Sequence, residues 1–137
     1  MKVFIYFLFF FIFLHCAGST KSLDQMSEDD LWKQYKLSQP QYIGHSGINK
    51  ISNEEYLYEV RKRLISFYPD WSTSMKENIL SGKITHGMIE MQVTLAWGYP
   101  IKTYQYVSDY IVYKTWHYGP TSSRQEIKFR DGIVDSF

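Results

Sequence analysis

Cysteine is almost absent from this chain. The single Cys16 leaves no partner for an internal disulfide, and it excludes cysteine-rich zinc modules and any Cys-x-x-Cys redox pair. Charge of one sign is lacking too: 15 Lys and Arg face 14 Asp and Glu, so no strong field draws nucleic acid. The longest apolar run, Val3–Leu14, is shorter than the roughly 20 residues a membrane-spanning helix needs. No G-x-S-x-G elbow, no phosphate-cradling glycine loop and no H-E-x-x-H pair occurs. What the chain has is aromatic side chains, 18% of its residues, with 12 Tyr. At 137 residues, 45% of them hydrophobic and 21% charged, it suits one folded domain with appendages.

Met1 and Lys2, the run Val3–Leu14 and the small residues Ala17, Gly18 and Ser19 together read as a secretory signal peptide, residues 1–18. Cys16 sits directly behind the run, a placement that resembles the lipid-modified cysteine of bacterial lipoproteins. The residues before it, Phe13, Leu14 and His15, depart from the usual Leu followed by small residues. The alternative is ordinary cleavage after Gly18, which discards Cys16. Either way no free thiol remains in an oxidising compartment. Residues 19–51 follow as a polar tether interrupted by Pro40, Gly44 and Gly47. Within it, Glu28 to Leu37 suits a turn or two of helix with Leu31, Trp32 and Tyr35 on one side, aromatic enough for part of the segment to dock.

The folded domain is expected over 52–137. Ser52 and Glu55 have capping-box spacing, and Leu57, Val60, Leu64 and Tyr68 recur at helical intervals until Pro69 stops the helix. The basic Arg61, Lys62 and Arg63 suit a solvated helix face, with contact to anionic lipid as the sharper alternative. A second capping box, Ser74 and Glu77, opens a short helix closed by Gly82. A third helical piece runs from Glu90 to Trp97, where Gly98 and Pro100 end it.

Beyond Pro100 the pattern turns to strands: Ile101–Ser108, Ile111–Tyr118, Gln125–Phe129 and Ile133–Phe137, with Gly119-Pro120 and Asp131-Gly132 at turns. Helices first and strands afterwards imply an α+β fold: two short helices packed on one face of a small three-stranded antiparallel sheet, preceded by an extra N-terminal helix. Ile79, Leu80, Val93, Leu95 and Trp97 should pack against Trp116, Tyr118, Ile127 and Phe129. Gly132 should need a positive φ more than Gly119 does. Alternation places Tyr104, Tyr106 and Tyr110 on one parity of the first strand. On the second strand it puts Tyr113 and His117 opposite Trp116 and Tyr118. Two helices cover one face only. The other should present these tyrosines to solvent, to Trp32 and Tyr35 of the tether, or to a partner.

The stretch ILSGKITHGMIEMQVTLAWGYP, residues 79–100, resembles the small outer-membrane lipoprotein family called SmpA/OmlA or BamE. The matching residues are Gly82, Ile84, Gly87, Met88, Val93, Leu95, Gly98 and Pro100. Downstream, Trp116 and Tyr118 match the family's W-x-Y strand, and Ile127, Phe129, Asp131, Gly132 and Val134 resemble its last hairpin. Ile89 replaces the family's helix-capping Thr, while Gln92 is placed to bind back to the cap amide. The resemblance implies a lipid-anchored accessory of the machine that inserts β-barrels into the outer membrane, facing the periplasm.

Chemistry is sparse. His15, His45, His86 and His117 share no metal-ligand spacing, so neither a metal nor a cofactor is expected. Asp109, Glu126 and Asp135 lie at strand ends and are the sole carboxylates suggestive of acid–base work. No catalytic residue emerges, and the chain reads as a non-catalytic interaction module of the cell envelope. The alternative is a soluble periplasmic or secreted binder or inhibitor of similar fold.

Overall fold

The computed structural model describes residues 21–39, 54–119 and 124–137. Cys16, His15, His45, Ser52 and Pro120 lie outside them. A short 3-10 turn, Leu23–Gln25, precedes α1 (Glu28–Leu37), α2 (Glu54–Ile65), α3 (Thr73–Leu80) and α4 (Glu90–Trp97). Four antiparallel strands follow: β1 (Lys102–Ser108), β2 (Ile111–Tyr118), β3 (Gln125–Arg130) and β4 (Ile133–Ser136), in the spatial order β1-β2-β3-β4. The architecture is α+β, four helices followed by a four-stranded antiparallel sheet. The expected sheet of three strands is one short, because Asp131-Gly132 returns the chain along β3 and pairs Phe129 with Val134.

Local chemistry explains where the helices begin and end. Ser27 caps α1, its hydroxyl accepting from the Asp30 amide at 3.2 Å, and Glu28, Asp29 and Asp30 complement the positive end of the helix. Helix α2 stops at Ile65 rather than running to Tyr68. Ahead of Pro69 the amides of Ser66, Phe67 and Tyr68 bond three residues back instead of four, which tightens and ends it. That frees Tyr68 to stack on Trp71, with ring centroids 4.4 Å apart. The cap of α3 is Ser72, not Ser74: the Ser72 hydroxyl accepts from the Met75 amide at 3.2 Å, and Ser74 lies inside the first turn. Gly82 closes α3 as expected. Its amide reaches the Ile79 carbonyl at 3.1 Å and the next amide, Lys83, reaches Asn78 at 2.8 Å, a Schellman ending. At α4 the aliphatic Ile89 offers no side-chain cap, and the Gln92 side chain takes over by accepting from the Ile89 amide at 3.0 Å.

The core lies between helices and sheet. Ile79, Val93, Leu95, Trp116, Tyr118, Ile127 and Phe129 are buried together as expected, with Leu80 and Trp97 half-buried at the rim. Leu31 and Tyr35 are wholly buried as well, so α1 belongs to the domain instead of the tether. The Tyr35 hydroxyl donates to the carbonyl oxygens of Thr94 and Leu95, at 2.8 and 3.1 Å, where α4 ends. Nearby, Tyr118 donates to the Gly98 carbonyl at 3.2 Å, and Trp97 Nε1 donates to the Gly82 carbonyl at 2.7 Å. Lys114 of β2 pairs with Glu90 of α4 at 2.7 Å. On the basic stretch of α2, Arg63 donates to the Asp24 carbonyl and Lys62 lies 3.9 Å from Glu59.

The two edges of the sheet differ. Outside β4, the Val134 amide bonds the Met88 carbonyl at 2.8 Å and the Gly87 amide bonds the Val134 carbonyl at 3.3 Å. The segment before α4 therefore covers that edge. Outside β1 no described residue pairs.

Leu95→Ala should lower unfolding free energy by about 2–5 kcal/mol, read by denaturant titration, because a wholly buried Leu leaves a cavity. Tyr35→Phe should cost about 1–2 kcal/mol by removing the buried hydroxyl's bonds to the end of α4, with Thr94 keeping its bond from the Gly98 amide. Burial pushes both the Tyr35 and the Tyr118 phenols up, with Arg61 partly opposing the rise at Tyr35. The unfolded chain then ionises first, near a pH of about 10. Their contribution to stability should be constant below that pH and fall as pH rises toward the folded values, more gently in Tyr35→Phe.

Candidate functional site, the outer face of the β1–β2 ribbon

Register assigns the faces. Tyr106 lies opposite Tyr113, Tyr104 opposite Thr115 and Lys102 opposite His117. Paired residues of antiparallel strands share a face, so these side chains stand on the side away from the helices, while Trp116 and Tyr118 point into the core. Four of the five sequence-derived candidates are thus brought together. Tyr106 stacks on Tyr113 with centroids 4.9 Å apart and planes 11° from parallel. Tyr104 meets His117 edge-on at 5.1 Å, and the Lys102 ammonium sits 4.7 Å from the centre of the Tyr104 ring. Tyr104 and Tyr106 are exposed, Tyr113 is half-buried beneath Tyr106, and His117 is buried beneath Tyr104.

Tyr110 is the exception. It is not on strand parity at all but in the two-residue turn Asp109-Tyr110, with positive φ at both positions (50° and 67°). This is the type I′ geometry that hairpins favour and that normally selects Gly second. The same chain meets that preference at Asp131-Gly132, with φ of 50° and 80°. At the β1–β2 tip the left-handed position holds a tyrosine whose side chain touches nothing and is fully exposed (101%). Gly119 also has positive φ, 76°, so the expected contrast between Gly132 and Gly119 disappears.

Strand β3 contributes what the sequence reading missed. Arg130 lies opposite Tyr113, Lys128 opposite Thr115 and Glu126 opposite His117. The outer face therefore carries the exposed cations Lys102, Lys128 and Arg130 beside the tyrosines. Glu126 Oε1 lies 3.1 Å from His117 Nδ1, within ion-pair reach but off hydrogen-bond alignment. Parity along β3 was the available signal, but it needed a pairing register to become a face.

The remaining motif residues serve the frame. Met88 and Val93 are wholly buried, Gly87 anchors the loop to β4, and Pro100 precedes β1. A Cβ at Gly98 would collide with the Gln39 side chain. Asp131 does more than turn the chain: its carboxylate accepts from the Val112 amide at 2.9 Å and its own amide donates to the Val112 carbonyl at 2.8 Å. Asp109, at the ribbon tip, and Glu126, opposite His117 at its base, are separated by six residues of strand, about 20 Å. Trp32 and Tyr35 pack on the helical side and leave the outer face uncovered. Among the described residues no group of His, Cys, Asp or Glu is placed to hold a metal ion, and no helix is long and apolar enough to cross a membrane.

Comparison with models of protein families, with curated proteins and with solved structures gives no match to this chain.

Tyr110→Gly should raise unfolding free energy by about 1 kcal/mol, because it releases an L side chain from the left-handed region and removes no contact. A thermal melt checks this; a lower midpoint would show that Tyr110 supports the fold.

Proposed function

We propose that the protein is a non-catalytic interaction module of the bacterial cell envelope that binds a protein partner through the outer face and tip of the β1–β2 ribbon. Tyr110 carries this reading. A fully exposed aromatic held where the backbone favours glycine works against stability, and such outliers cluster at functional sites. Around it Tyr104, Tyr106 and Tyr113 supply the large amphipathic surfaces that interface centres favour, flanked by Lys102, Lys128 and Arg130.

The location belongs to the same proposal. The signal-like N-terminus and Cys16 support an exported chain held to a membrane by a lipid on that cysteine. The resemblance over residues 79–100 supports a place in the outer membrane, facing the periplasm, as an accessory of β-barrel protein assembly. A soluble periplasmic or secreted binder is the competing reading, favoured by His15 just before Cys16.

Two measurements decide between them. Mass spectrometry of the mature N-terminus should show an acylated Cys16; a free amine at Ser19 would establish the soluble form. A photo-crosslinking side chain at position 110, in the cells that make the protein, should capture one defined envelope protein that the same probe at exposed Lys83 does not. Tyr106→Ala combined with Tyr113→Ala should weaken that capture at least tenfold with the fold intact. Equal capture from both positions would remove the ribbon from consideration.

A further inference from the structure

We propose that β1 is a self-pairing edge, so that two copies of the chain join antiparallel through β1 into one continuous sheet. All seven residues of β1 are exposed, on both faces: Tyr106 on the outer side at 61% and Val107 on the helical side at 62%. The other edge of the sheet is covered by Gly87–Ile89, whereas β1 is long, unbulged and free of proline, with Lys102 its single charge. These are the features that protected edges avoid.

The ladder fixes which backbone groups are free. Behind a two-residue turn Ser108 and Ile111 form a bonded pair, and bonding alternates from there. The amides and carbonyls of Thr103, Gln105 and Val107 therefore face outward. One two-fold register satisfies all three: Gln105 opposite Gln105 of the second copy, and Thr103 opposite Val107 in both directions. In that register Tyr104 lies opposite Tyr106 of the other chain, twice, which extends the aromatic row across the dyad. Lys102 falls opposite Ser108, so no like charges meet. An interface in which the same strand serves both partners is the isologous form expected of a symmetric dimer. Edge pairing buries little area, so the equilibrium is reversible. The inference shares Tyr104 and Tyr106 with the partner-binding reading but rests on the edge of β1, unpaired among the described residues, so position 105 tests it separately from position 110.

Sedimentation velocity of the full chain in detergent, over a wide concentration range, tests it. The wild type should pass from monomer to dimer as concentration rises. Gln105→Lys and Gln105→Glu, each placing like charges face to face at the dyad, should each weaken dimerisation at least tenfold with unchanged melting temperature. An equimolar mixture of the two should restore a dimer containing one of each. Away from the dyad, Ser108→Glu should strengthen association by meeting Lys102 of the second copy, and Ser108→Lys should weaken it. A wild type that stays monomeric overturns the proposal, as does association that ignores position 105, which would place it in the apolar N-terminal run. Failure of the mixture to dimerise overturns the register. Slow exchange of the Thr103, Gln105 and Val107 amides in the dilute monomer would show that another segment of the chain already occupies the edge, and overturns it too.

Discussion

The rest of the molecule hangs on the C-terminal end of α4. A helix leaves its last carbonyls short of internal partners, and here those of Thr94 and Leu95 lie in the interior, where an unmet acceptor is costly. The Gly98 amide meets Thr94 at 2.8 Å, and the Tyr35 hydroxyl, from far earlier in the chain, reaches both carbonyls. One side chain thereby docks α1 against the end of α4. The turn that follows is equally constrained, since Gly98 is packed against Gln39 and receives the Tyr118 hydroxyl on its carbonyl. Helix α1, helix α4 and strand β2 meet within these few residues, and the sheet takes its position from that junction.

Seen from there, the β1–β2 ribbon is the part of the structure with least support. Its base is held by Trp116 and Tyr118 in the core and by Lys114 on Glu90. Among the described residues its outer strand has neither a helix above nor a neighbour beside it. Strands in such positions are ordinarily short or heavily charged. This one instead carries stacked tyrosines and a tip held in a disfavoured conformation. Packing is concentrated at one end of the sheet and exposed aromatic side chains at the other.

Much of this was legible in the residues themselves. Helix α4 lies where Ile89, Gln92, Gly98 and Pro100 bracket it, because start and stop signals are local. The strands follow their aromatic and β-branched runs for the same reason. What failed was also local ambiguity. Ser72, Thr73 and Ser74 are consecutive hydroxyl residues, and spacing to Glu77 favours the wrong one, whereas the Met75 amide selects Ser72. Asp109-Tyr110 lacks the glycine that makes Asp131-Gly132 readable, so Tyr110 was placed on a strand. The cations of the outer face and the bond from Tyr35 depend on pairings between distant segments, which no window of sequence contains.

The contact between β4 and the loop before α4 bears on how the chain acquires its structure. Met88 and Gly87 exchange backbone bonds with Val134, late in the chain, whereas α3, α4 and the β1–β2 hairpin are built from near neighbours. Contacts between distant residues must wait for loop closure and form slowly. A chain emerging N-terminus first can thus hold its helices and its first hairpin while the segment before α4 still awaits its last strand. Among the described elements β4 comes last, so the segment before α4 gains its edge partner only after α3, α4 and the β1–β2 hairpin are on hand.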